Sequence, residues 1–254
     1  MATKGCGQQL PGGGTKKLFA ARIMNTLVKP IHYEPHTEET QEAASAPEAQ
    51  ARLFKRVLNA GSGSYAARRL HPVFAQEAWN EVRLDIDPQS KPDVVASITD
   101  MKSAFSPQSF DAIWSSHTLE HLYAHEVPLA LAEFKRVLKP DGFALITLPD
   151  LEAVASLVLD QGLDEVAYIS PAGPITPRDM IFGHSASITR GQFYMAHKTG
   201  FTSASLGRQL ADAGFATVLV KREGLDLWAL GLMHEADQAS VQDDLRLAGL
   251  DLSE

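Results

Sequence analysis

The chain has 254 residues, 44% of them hydrophobic and 21% charged, with 23 Lys and Arg against 31 Asp and Glu. That length suits one large domain or two small ones, and a net charge of −8 argues against a dedicated nucleic-acid binder, whose footprint is a basic surplus. Cys6 is the only cysteine, which excludes an intrachain disulfide and a multi-cysteine zinc site, and no apolar run reaches the about 18–20 residues that span a bilayer. The expected setting is therefore reducing and cytoplasmic, with no transmembrane segment.

Residues 1–50 read as a flexible arm. Gly5, Gly7, Pro11 and the run Gly12-Gly13-Gly14 open it, and its charges are positive up to Tyr33 and negative from Glu34 to Glu48 apart from histidines. Within it, residues 16–24 could wind into a short basic amphipathic helix. The domain proper is expected to run from 51 to 254. Residues 56–60 form a short apolar strand that enters a turn at Gly61-Ser62-Gly63. A helix over 64–70 stops before Pro72. Strands follow at 82–86, 93–96 and 110–114.

The next helix is marked by Ala130, Leu131, Phe134, Val137 and Leu138 at helical spacing, with Pro128 in its first turn and Lys139-Pro140-Asp141-Gly142 stopping it. Residues 143–148 are almost continuously apolar, the pattern of a parallel strand buried on both faces. A helix at 206–213 capped by Gly214 leads to a strand at 216–220. Glu223-Gly224 then turns the chain into a last strand at 226–233. A link that short holds no crossover helix, so the last strand pairs antiparallel to its predecessor. The expected fold is α/β: a doubly wound, Rossmann-like, seven-stranded sheet, mostly parallel, with an antiparallel last strand.

The segment Asn59-Ala60-Gly61-Ser62-Gly63-Ser64 puts glycines at the end of the first strand, where backbone passes close to a ligand. With Ala66 it satisfies G-x-G-x-x-A, the dinucleotide fingerprint. Asp85 ends the second strand about 20 residues later, where a carboxylate accepts both hydroxyls of a ribose. Asp87 is its alternate. Asp100 and Met101 follow the third strand, placed for an adenine amino group and ring; the alternative for Asp100 is capping the next helix.

Five stretches together resemble the class I S-adenosylmethionine-dependent methyltransferases of the type 11-like group. They are residues 57–63 (VLNAGSG), 83–88 (RLDIDP), 110–117 (FDAIWSSH), 119–122 (LEHL) and 133–142 (EFKRVLKPDG), in the family's order. The resemblance implies S-adenosyl-L-methionine as cofactor. Its methionine part would lie on Asn59, Gly61, Ser62 and Gly63, its ribose on Asp85 with Ile86 beside it, its adenine between Asp100 and Met101. Ser115, Ser116 and His117 would approach the amino group and the sulfonium. Asn59 departs from the acidic residue that usually opens the family's first motif. Ser115-Ser116-His117-Thr118 stands where members methylating amide or adenine nitrogens often carry Asn/Asp-Pro-Pro-aromatic, which argues against those substrates.

His117-Thr118-Leu119-Glu120-His121 also spells H-x-x-E-H, an inverted zinc-peptidase signature, and on one helix His117, His121 and His125 would share a stripe. Pro128 limits that helix and no separate carboxylate ligand is marked downstream, so the sequence is read as holding no metal. Residues 151–203 exceed the short link that the alternation needs and resemble the family's substrate-covering cap. Within them, His-Lys-Thr-Gly-Phe at 197–201 resembles bacterial enzymes acting on sugars or other small molecules. The reading is methyl transfer to an oxygen or nitrogen of a small-molecule acceptor. The candidate general base is His117, with His184 and His197 in reserve. A non-catalytic cofactor-binding partner or sensor, and an NAD-dependent oxidoreductase, are the alternatives; the latter leaves the closing hairpin and the 119–122 and 136–142 stretches unexplained.

Overall fold

The computed structural model describes residues 54–64 and 70–253. The expected arm at 1–50, and residues 65–69 of the expected first helix, lie outside the described residues. The strands are β1 (Lys55–Ala60), β2 (Trp79–Asp85), β3 (Val94–Val95), β4 (Phe110–Ser116), β5 (Leu138–Pro149), β6 (Tyr168–Ser170), β7 (Gly173–Ile175), β8 (Thr217–Glu223) and β9 (Asp226–Leu232). The α-helices are α1 (Val127–Val137), α2 (Leu151–Gln161), α3 (Pro177–Phe182), α4 (Ser185–Thr189), α5 (Ser203–Asp212) and α6 (Gln238–Leu247).

Seven strands form one sheet in the order β3-β2-β1-β4-β5-β9-β8. Strands β3 to β5 in that order are parallel, whereas β9 runs antiparallel to both β5 and β8. All seven expected strands are present, and the sheet is the mostly parallel α/β type expected. The helix ends at Val137, close to the expected stop, but Leu138 and residues 139–142 already belong to β5, because Leu138 leaves the helical region and pairs with Phe110.

Alternation along each central strand feeds two cores. Leu58, Leu84, Ile113 and Ile146 pack with Phe134 of α1 and Leu206 of α5 on one face. Val57, Trp114, Leu145 and Leu230 pack with Phe74 and Leu245 of α6 on the other. Burial of both faces explains the unbroken apolar runs. His71 sits in the second core against Trp114 and Trp228, with ring centroids 5.6 Å away in each case. Its Nδ1 accepts from the Val73 N–H at 3.3 Å. Burial holds its pKa down, at about 4.

The segment between β5 and α5 carries α2, the β6–β7 hairpin, α3 and α4. A small apolar cluster of Val154, Ile175 and Met180 holds it together. The Thr176 side chain and Asp179 cap α3 reciprocally. Those hydrogen bonds, with others from Ser185, outweigh desolvation and leave the Asp179 carboxyl at about 2.

Candidate functional site

Strand order reverses between β2-β1 and β4, and open α/β sheets bind ligands at the carboxyl ends of their strands at that point. The turn after β1 lies there. Gly61 and Ser62 both donate their N–H groups to Leu84 O, at 2.9 and 3.0 Å. Gly61 has a φ of +77°, and a side chain on it would collide with Thr118, whose hydroxyl donates toward Ala60 O and Ser116 O. The glycine is thus required by the chain leaving β4 as well as by the turn. Gly63 is different: nothing lies within 4 Å of where its Cβ would stand.

Asp85 closes the turn from the side. Its Oδ2 accepts from the Gly63 N–H at 2.8 Å and its Oδ1 from the Asp87 N–H at 2.9 Å. An ionised carboxylate offers about four acceptor sites, so about one on each oxygen remains for a vicinal diol. Ile86, next in the chain, is half exposed. The Arg83 guanidinium donates to Gly63 O and to Lys91 O, stapling the turn to the loop after β2. Open space over Gly63 and the free acceptor capacity of Asp85 together fit an adenosyl cofactor. Asp87, the alternate, caps the following 3₁₀ turn through Gln89 N.

The other expected cofactor residues divide. Asp100 is exposed, and among the described residues its carboxylate accepts only a long 3.4 Å contact from Lys102 N; no helix follows in residues 101–109 for it to cap. Met101 is fully buried in the first core, with its N–H donated to Glu133 Oε2 at 2.7 Å. This corrects its expected position against a ring, because its side chain has no surface left to offer. Asn59 is also buried and gives its amide N–H to Glu81 Oε1 at 2.7 Å, so that nitrogen is committed within the fold. Ser115 is wholly buried and its hydroxyl has no hydrogen-bond partner among the described residues, whereas Ser116 is half-buried at the strand end.

The stretch 117–125 is not a helix. His117 stands at a φ of +50°, Leu119–His121 make one 3₁₀ turn, and His125 is exposed against Tyr123. The expected stripe of three imidazoles therefore does not form. Instead His117 Nδ1 lies 3.3 Å from Glu120 Oε1, and its Nε2 lies 3.8 Å from Asp226 Oδ1 at the start of β9. Burial raises the Asp226 pKa, with His117 opposing the shift and Glu120 adding to it. Glu120 is 2% exposed. Burial pushes its pKa up, but His117 first, then His121 and His197, more than reverse this and hold it below the usual carboxylate range.

His197 comes from the segment after α4 and meets His121 edge-on, with ring centroids 4.8 Å apart. Burial is the main cause that lowers its pKa. His184 stands apart, with its Nδ1 2.8 Å from Ser187 Oγ. Of the three candidate bases, the structure brings together His117 and His197, on either side of Glu120. Asp226 was overlooked in the sequence because it reads as a mere strand start. Its one signal is a charge opening an otherwise apolar run.

Residues 54–146 match the family model described as "Methyltransferase domain". The chain is similar to a solved SAM-dependent methyltransferase from Archaeoglobus fulgidus, at 15% identity over 73% of this chain and 90% of that one, with a TM-score of 0.48. A SAM-dependent methyltransferase from Methanosarcina mazei matches at 15% identity over 74% and 97% of the two chains, with a TM-score of 0.48. The 1,6-didemethyltoxoflavin-N1-methyltransferase of Burkholderia thailandensis matches at 18% identity over 75% of each chain, with a TM-score of 0.44. Comparison with curated proteins gives no match.

Proposed function

Residues 54–146 are a methyltransferase domain of the class I S-adenosylmethionine-dependent family, and on that premise we propose that the enzyme methylates an oxygen or nitrogen of a small molecule. When bound, the cofactor supplies a methyl group on a positively charged sulfur. In this reading the turn at Gly61, Ser62 and Gly63 cradles its methionine part. Asp85 accepts the two ribose hydroxyls, and Ile86 and Asp100 border the adenine. The observation that carries the reading is the pairing of open space at Gly63 with a carboxylate already fixed by two backbone N–H groups.

Ser115 and Ser116 end the strand that faces the reacting atoms, and His117 follows them. Where the acceptor is a hydroxyl, His117 takes its proton. Glu120 on one ring nitrogen and Asp226 near the other fix the plane of that imidazole. Residues 151–203 cover the acceptor side. The negative net charge supports an acceptor other than nucleic acid. Among the described residues no helix is long and apolar enough to cross a membrane. With a single cysteine in the chain, the cytoplasm is the proposed compartment.

The test is transfer of isotope-labelled methyl from S-adenosylmethionine into a fractionated cell extract. Label in the small-molecule fraction, lost in an Asp85→Ala variant, is the expected result. Label confined to protein or nucleic acid overturns the small-molecule acceptor.

A further inference from the structure

Glu120, His121 and His197 each bring one donor atom to within 4.8 Å of the others. Three further observations set this cluster apart from a chance meeting of polar side chains. The first is the carboxylate. Glu120 is 2% exposed, yet among the described residues its oxygens find no donor beyond the His117 Nδ1 that stands 3.3 Å from Oε1. A buried carboxylate with so few donors calls for an explanation, and a bound cation is one of the usual ones.

The second observation is the tautomers. His121 Nδ1 lies 3.1 Å from Ala196 O, and His197 Nδ1 lies 2.8 Å from Met180 O. A carbonyl only accepts, so each Nδ1 carries the hydrogen and each neutral ring keeps its lone pair on Nε2. Metal-binding histidines are held in this way, the second ring nitrogen donating to a backbone carbonyl. The third is room. A cavity of about 20 Å³ adjoins two of the three, Glu120 and His197, and is otherwise walled mostly by apolar groups that include Pro149, Val154 and Met180. That is space for about one water.

We propose that Glu120, His121 and His197 bind a divalent transition ion of the zinc class, through one carboxylate oxygen and two Nε2 atoms. Two histidines and a carboxylate, with a water in the fourth position, are a recurring zinc set. The cavity beside Glu120 and His197 takes that water. The ion joins two remote pieces of chain: the turn leaving β4 and the segment that returns after α4. Backbone bonds already bring them together, since Lys198 N and Thr199 N both donate to Glu120 O, at 2.8 and 3.2 Å. Gly183, with a φ of +93°, lets the backbone at Met195 and Ala196 pass where a side chain would stand. The ion is thus a clasp on the inserted segment, and its binding does not depend on methyl transfer.

The full-length protein, produced without a histidine tag and stripped by a chelator, is titrated with zinc in competition with a chromophoric chelator. The expected result is about one zinc per chain, with affinity at least about 100-fold weaker in His197→Gln and in Glu120→Gln, as for loss of a ligand or its support. His125→Ala and His234→Ala are expected to bind as the parent does. Circular dichroism checks that each variant is folded. Cobalt bound to the unaltered protein gives an independent reading: the absorption of a four-coordinate site supports the assignment, and that of a six-coordinate site overturns it. Failure to bind zinc, or binding that folded His197→Gln retains unchanged, also overturns it.

Discussion

Each Asp85 oxygen is held by one backbone N–H, so the carboxylate is oriented before any ligand arrives. Charge-assisted hydrogen bonds to a ribose are worth on the order of 1.5–3 kcal/mol. Asp85→Ala is therefore expected to weaken S-adenosylhomocysteine binding roughly 10- to 150-fold, read by calorimetry. His117→Ala is expected to lower turnover by about 10²–10⁴-fold while leaving cofactor affinity unchanged, if the acceptor needs a base. Gly61→Ala adds a clash with Thr118 at a positive φ and is expected to cost on the order of 1–3 kcal/mol, read by chemical denaturation. At this scale residue type was legible and direction was not. Asp85 was marked by its place after a strand. Asn59 and Met101 sit in equally suggestive places, yet one bonds Glu81 and the other fills the core, and nothing local in the sequence separates these cases.

Strands were the most legible elements, because a strand buried on both faces must be apolar nearly throughout, as residues 143–148 are but for Thr147. Helix α6 gave no such signal. Its segment, QASVQDDLRL, buries only Leu245, so its periodicity is too faint to read. The stretch 117–125 misled in the opposite direction: histidines at steps of four imitate a helical face, but His117 adopts a left-handed backbone that breaks the helix at its start. The 3₁₀ turn Pro72–Phe74, capped by His71, belongs to the second core and carries a pH prediction. Folded His71 titrates at about 4 rather than 6.5, so between those values the unfolded chain takes up a proton that the native chain refuses. Stability is then fully present above pH 6.5 and falls as pH drops through the window, by about 3 kcal/mol at pH 4 from this group. Denaturation midpoints at pH 7, 5 and 4 check this, and His71→Asn, which keeps a capping acceptor but does not titrate, is expected to flatten the dependence.

Across the molecule, the turn and the carboxylate proposed for the cofactor come from residues 61–85, and the histidines and carboxylates gathered around Glu120 from residues 117–226. A chain beginning at residue 51 is accordingly expected to bind S-adenosylhomocysteine as tightly as the full chain, and loss of calorimetric binding would place the arm in the site. The general architecture was legible because strand runs, glycine turn and family stretches all agree with one sheet. The clustering of Glu120 with His197 was not legible, since it depends on how the inserted segment folds back, and that path is set by contacts between residues far apart in sequence.

The sheet is also closed out of order. Strand β9, the last to leave the ribosome, takes an inner place between β5 and β8, and Asp226 is its first residue. Until it arrives, β8 has no neighbour to bond and His117 faces no second carboxylate. A polypeptide interrupted before that point therefore carries the Gly61–Gly63 turn and Asp85 but lacks the carboxylate opposite His117 Nε2, so the proposed site closes only once the inner strand is seated.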